Sequence, residues 1–157
     1  MRVVFVENND SFSWNVVDLL PFTRSEIVMV HGARGLDLSG ADALVIGPGP
    51  MDPERAGLIE LVLDAATRNL PTLGICLGHQ AIGAAFGARI VRGPPVHGRT
   101  SRVTFSAPRL FSNVTMDAMR YHSLSVAAVV PPLRVVATTE EGVTMAVEHH
   151  ELPMGGL

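Results

Sequence analysis

The sequence of 157 residues contains one cysteine, and it stands between two glycines in "GICLG", residues 74–78. The pattern G-x-C-x-G is the thiol form of the nucleophile elbow. Small residues two before and two after the nucleophile let the chain turn sharply from strand to helix and lift the side chain above the sheet edge. A helix that begins at Leu77 favours negative charge at its N-terminus, so the sequence predicts a reactive Cys76 with a lowered thiol pKa. A lone cysteine is more often a small buried hydrophobe. The paired glycines, with His79 and Gln80 directly after, favour the nucleophile.

Three further stretches carry groups that could serve such a thiol. "GPGPMDP" (47–53) follows the apolar run "DALVIG", at the carboxyl end of a strand where open α/β sheets place their ligands. Gly49 could there turn a backbone N–H toward a substrate oxygen. A Gly/Pro loop that only reverses the chain is the other reading of the same residues. "VHGRTS" (96–101) and "YHSLSV" (121–126) place rings and hydroxyls at expected turns, where such clusters commonly cap or close the turn.

The elements that must position these groups are legible as apolar runs. "RVVFVE" (2–7), "EIVMVH" (26–31) and "DALVIG" (42–47) read as buried strands. "DSFSWNVVDLLPF" (10–22) reads as a helix entered through an Asp or Ser cap. "ERAGLIELVLDAATRNL" has apolar residues over one broad helix face. Residues 71–75 form a short strand, and residues 77–86 the elbow helix. This βαββαβα order predicts an α/β fold, a mostly parallel open sheet with helices on both faces. After Gly87 short β-rich runs separated by Gly and Pro predict antiparallel additions in the C-terminal half. Residues 1–157 are expected to form one domain.

Composition narrows the function classes. A net charge of −3 with no basic tract gives no reason to expect a nucleic-acid or anionic-membrane partner. One cysteine cannot form an internal disulfide, and a thiol nucleophile must stay reduced, so a reducing cytoplasm is expected. Six residues precede the first charged and amide cluster, too few for a signal-peptide core, and no apolar run approaches the length of a membrane span.

Taken together, the four stretches resemble the class I glutamine amidotransferases, in the branch of glutaminase subunits of anthranilate and aminodeoxychorismate synthases. "ENNDSFSWN", with Glu7 and Asn9 where the family usually has an aspartate and an aromatic, is similar to the family's opening run. Gly47-Pro48-Gly49, "GICLGHQ", "HGRTS" and "YHSL" match its later motifs in order and spacing. The resemblance implies glutamine hydrolysis through a cysteinyl thioester, with ammonia passed to a chorismate-binding synthase subunit. It implies no cofactor and no metal. Cys76 would attack the amide carbon, and the N–H groups of Leu77 and Gly49 would hold the oxyanion. Gly47, Pro48, Gly49, Gln80, Ser123 and Leu124 would bind L-glutamine.

The family's base and its orienting carboxylate lie in a G-[VL]-Q-F-H-P-E stretch, which aligns here from Gly156. The expected histidine would be the third residue after Leu157 and the glutamate the fifth, so neither falls within 1–157. His149 and His150 are expected to be solvated turn residues, and His79 to be turned into packing. The sequence therefore predicts a poor glutaminase on its own, with the strand "VTMAVEH" left without a neighbour and lacking the covering helix. Two readings stand: a catalytic amidotransferase, or an impaired short form that binds glutamine or a partner subunit. A third, weaker reading is a thiol hydrolase or protease-like protein of the same broad fold, against which "HGRTS" and "YHSL" argue.

Overall fold

The computed structural model describes all 157 residues, apart from the side chains of residues 94, 95 and 97. In chain order the elements are β1 (Val3–Glu7), α1 (Ser13–Leu19), β2 (Ile27–His31), β3 (Ala43–Ile46), α2 (Leu58–Thr67), β4 (Thr72–Gly74) and α3 (Leu77–Ala85). They continue with β5 (Arg89–Phe105), β6 (Thr115–Ala127), β7 (Leu133–Thr139), β8 (Thr144–His149) and β9 (Met154–Gly156).

All nine strands join one sheet in the order β2-β1-β3-β4-β9-β8-β7-β5-β6. The pairs from β2 to β9 are parallel, and those from β9 to β6 are antiparallel. The α/β architecture expected from the element order is present, but the sheet is divided evenly and is not mostly parallel. The reason is that β8, β7, β5 and β6 all extend the sheet on one side of β9, matching in number the four parallel strands on the other. "ARIVRG" and "RTSRVTFS" are one 17-residue strand, β5, and β6 begins seven residues before "HSLSVAAV".

β1 is buried along its whole length, and its alternation divides the core. Val4 and Val6 pack on the side of α2 and α3 with Leu58, Leu61, Leu77 and Ile82. Val3 and Phe5 pack on the opposite side with Val17 of α1. Helices therefore cover both faces of the parallel half. A third, smaller cluster of Val103, Val136, Ala137 and Ala146 fills the antiparallel half.

Local chemistry departs from expectation at three places. No side chain caps α1; instead Asp10 Oδ1 accepts the Phe12 N–H at 2.8 Å, an Asx turn ahead of the helix. "VHGRTS" and "YHSLSV" are not turns but face each other inside the β5–β6 hairpin, with Val96 opposite His122 and His97 opposite Tyr121. β8 is not an edge either. β9 returns beside it, pairing Val147 with Gly156 and Glu148 with Gly155, and pairs with β4 on its other side. Three residues thus join the two halves of the sheet. Among the described residues no helix is long and apolar enough to cross a membrane.

Candidate active site

The turn from β4 into α3 holds Cys76 at φ 53° and ψ −97° as the residue preceding the helix. A non-glycine residue in the positive-φ region costs about 1–3 kcal/mol and persists only where its surroundings over-determine it. Here they do. The Cys76 N–H donates to Leu157 O at 2.8 Å, the Cys76 carbonyl accepts the Gln80 N–H at 3.0 Å, and the Ile75 N–H donates to Ile46 O at 2.9 Å. The flanking glycines are required by contact. A Cβ on Gly78 would lie 2.3 Å from Ile46 O, and one on Gly74 would lie 2.4 Å from the Gly78 carbonyl carbon.

The loop 47–49 packs against the head of α3. A Cβ on Gly49 would meet Leu77 Cδ2 at 2.7 Å and Asn8 Cβ at 2.6 Å, so no larger residue fits between β1 and the elbow. Asn8 fixes this loop, its Nδ2 donating to Gly47 O at 3.1 Å and to Val6 O at 3.4 Å while buried at the end of β1. Sequence reasoning assigned Asn8 no role. Its signal was a short amide placed directly after the buried strand that ends in Glu7.

Cys76 opens into a cavity of about 290 Å³ whose lining includes His79, Gln80, Tyr121, Leu124 and Leu157. Of the expected substrate residues, Gln80 and Leu124 are therefore brought to the nucleophile, and they touch each other through Gln80 Nε2 and Leu124 O at 3.5 Å. Ser123 is half-buried on β6 and does not line the cavity, although its neighbour Ser125 does. Gly47, Pro48 and Gly49 are not among the lining residues either, although Gly49 packs against Leu77, the residue after the nucleophile. A larger cavity of about 430 Å³ sits between Ala33–Leu36 and α2, with Arg34, Glu54, Glu60 and Asp64 around it and no nucleophile.

Electrostatics corrects the expected thiol. Burial pushes the Cys76 thiol above its ordinary value, the Asp10 carboxylate adds to this, and the Leu77 N–H offsets only part of it. Desolvation outweighs the favourable end of a nine-residue helix, so the thiol needs a base. His79 is a poor one: burial, with a smaller contribution from the nearby His122, lowers its pKa to about 4, and its Nε2 has no hydrogen-bond partner. His122 is engaged with Leu124 O and Arg120. His31 pairs with Glu7. His149 is buried rather than solvated, because its Nδ1 accepts the N–H groups of Glu151 and Leu152 and closes the turn from β8 to β9. The side chain of His97 lies outside the described residues.

The family profile described as Glutamine amidotransferase class-I matches residues 4–157. The chain belongs to this family. It is 37% identical over 168 residues to Anthranilate synthase component 2 of Azospirillum brasilense, covering 99% of this chain and 84% of that one. It is 33% identical to Aminodeoxychorismate/anthranilate synthase component 2 of Bacillus subtilis, with 99% and 84% covered. The crystal structure of a glutamine amidotransferase from Thermotoga maritima has the same fold, with a TM-score of 0.75, 16% identity, and coverage of 100% of this chain and 74% of that one. Cys76 and its flanking glycines thus stand within the stretch that the amidotransferase family profile matches.

Proposed function

We propose that this amidotransferase hydrolyses the side-chain amide of L-glutamine at Cys76 and delivers the ammonia to a chorismate-utilising synthase subunit in the cytoplasm. The observation that carries this reading is the strained Cys76 at the head of α3, opening into a cavity shared with Gln80 and Leu124. The Cys76 sulfur attacks the amide carbon and forms a tetrahedral oxyanion, whose collapse to the thioester expels ammonia. Leu77 N–H at the helix start and Gly49 N–H on the packed loop are the oxyanion donors, each of a kind that contributes about 3 kcal/mol. Gln80 and the β6 backbone around Ser123 and Leu124 hold the amino-acid end. Water then attacks the thioester carbon and releases glutamate.

A base must take the thiol proton that burial retains. β9 runs parallel to β4 and brings the chain to the nucleophile, where Leu157 O meets the Cys76 N–H. In the family resemblance the histidine-bearing stretch aligns from Gly156, next to that contact. The raised thiol and the engaged imidazoles favour a second reading for residues 1–157 taken alone, glutamine binding with slow turnover. A diazo-ketone analogue of glutamine separates these readings from error. Saturable covalent labelling at Cys76, blocked by glutamine, is expected under both, and ammonia release measured with and without a chorismate-utilising subunit distinguishes them. Absence of labelling at Cys76 would remove the nucleophile assignment altogether.

A further inference from the structure

The motif "YHSL" supplies Ser123 and Leu124 to the proposed site, which leaves its His122, the preceding Arg120 and Ser101 of "HGRTS" without a role. Their hydrogen bonds form one chain. Arg120 Nη1 donates to Ser101 Oγ at 3.3 Å, and Arg120 Nε donates to His122 Nε2 at 3.2 Å. A guanidinium has no acceptor, so His122 Nε2 must present its lone pair and the imidazole must be neutral with its proton on Nδ1. That Nδ1–H donates to Leu124 O at 2.9 Å. The same carbonyl accepts Gln80 Nε2. With its NH2 so committed, Gln80 keeps its Oε1 as the free end, buried and without a partner in a residue that lines the cavity.

We propose that Arg120 and His122 are positioning residues that select the orientation of the Gln80 amide, so that the cavity offers a fixed acceptor to a donor group of glutamine. The proposal rests on the glutamine-site reading above. Arg120 sets the His122 tautomer, His122 holds the Leu124 carbonyl, and that carbonyl holds Gln80. Ser101 anchors the guanidinium from β5, which ties the two strands of the hairpin to the substrate site. Without the guanidinium the imidazole is free to adopt the Nε2–H tautomer, which gives Leu124 O no donor. An Nδ1 lone pair then faces the Leu124 carbonyl oxygen and repels it, so the acceptor that orients the Gln80 amide loses its fixed position.

Nitrogen-15 NMR of the imidazoles in the full chain, with calorimetry of L-glutamine binding, tests this. His122 is expected as the Nδ1–H tautomer, shifting toward Nε2–H in Arg120→Ala. Glutamine affinity is expected to fall about tenfold in Arg120→Ala and in His122→Leu, the effect of one well-placed hydrogen bond. His122→Asn, whose amide N–H can stand in for Nδ1–H, is expected to recover most of it. Circular dichroism melts confirm that each variant folds. An unchanged tautomer in a folded Arg120→Ala overturns the proposal whatever the affinity. So does a His122→Asn variant as weak as His122→Leu. If the tautomer responds but the unaltered chain takes up no glutamine, the relay stands and the glutamine reading falls.

Discussion

The β4–α3 elbow and the β5–β6 hairpin meet at one cavity, yet they hold their parts of it by opposite means. Around the elbow the strands are three to five residues long, β1 is wholly buried, and the critical fits are backbone against backbone, as with Gly78 against Ile46 O. β6 is a 13-residue strand at the end of the sheet with Val126 its one buried residue, and it holds Leu124 through side-chain hydrogen bonds. The nucleophile's geometry is thus set by steric exclusion in a packed layer. The substrate-facing groups are set by directional bonds on a half-exposed edge. The first is costly to disturb and insensitive to chemistry, and the second is the reverse.

The sharpest way to break this comparison is Gly78→Ala. Because the added methyl would stand against a backbone oxygen in the core, urea unfolding should show a loss of about 3 kcal/mol. A loss below about 1 kcal/mol would mean that the parallel layer yields as readily as the hairpin.

Next comes Glu148, the fully buried carboxylate of β8, where the antiparallel half copies the rigidity of the other. It accepts the N–H groups of Arg109 and Leu110 and pairs with Arg134 at 3.0 Å. Burial works to raise its pKa, but those donors outweigh it and leave it lowered. A carboxylate with a depressed folded-state pKa contributes stability above its unfolded pKa and loses it as pH falls through the folded value. Glu148→Gln should therefore cost about 2 kcal/mol near neutrality, with the gap to the parent chain closing in melts below about pH 4.

A smaller effect concerns the thiol. Iodoacetamide should label Cys76 more slowly than free cysteine near neutral pH, with the rate rising at higher pH than for the free amino acid, because burial favours the neutral form. Asp10→Asn should move that profile slightly downward, since the carboxylate contributes to the shift. Labelling faster than free cysteine would show that the helix terminus wins over desolvation after all. Smallest of all is Met119→Ser on the exposed stretch of β6, which should change stability by less than about 0.5 kcal/mol. A larger loss would place the hairpin's exposed face among the parts that hold the fold.

Much of this was written in the sequence because it depends on neighbours along the chain. The strands β1, β2, β3 and β7 and the three helices follow from runs of apolar residues and their periods, and the elbow follows from glycines two places either side of a cysteine. What the sequence could not show depends on groups brought from elsewhere. "MGG" has no hydrophobic period, yet β9 lies at the centre of the sheet because β4 and β8 leave one gap of its size. The sign of the Cys76 shift is collective, since burial in a cavity lined from α3, β5, β6 and β8 decides it over the local helix end. Asn8, Arg120 and Gln80 gain their roles only when residues 39, 19 and 44 positions away are folded onto them. Residue type and spacing determined which group could be the nucleophile and what family of fold would carry it. Only the tertiary structure decided how that thiol titrates and which polar groups face it, because solvent exclusion and hydrogen-bond partnership are properties of the packed chain.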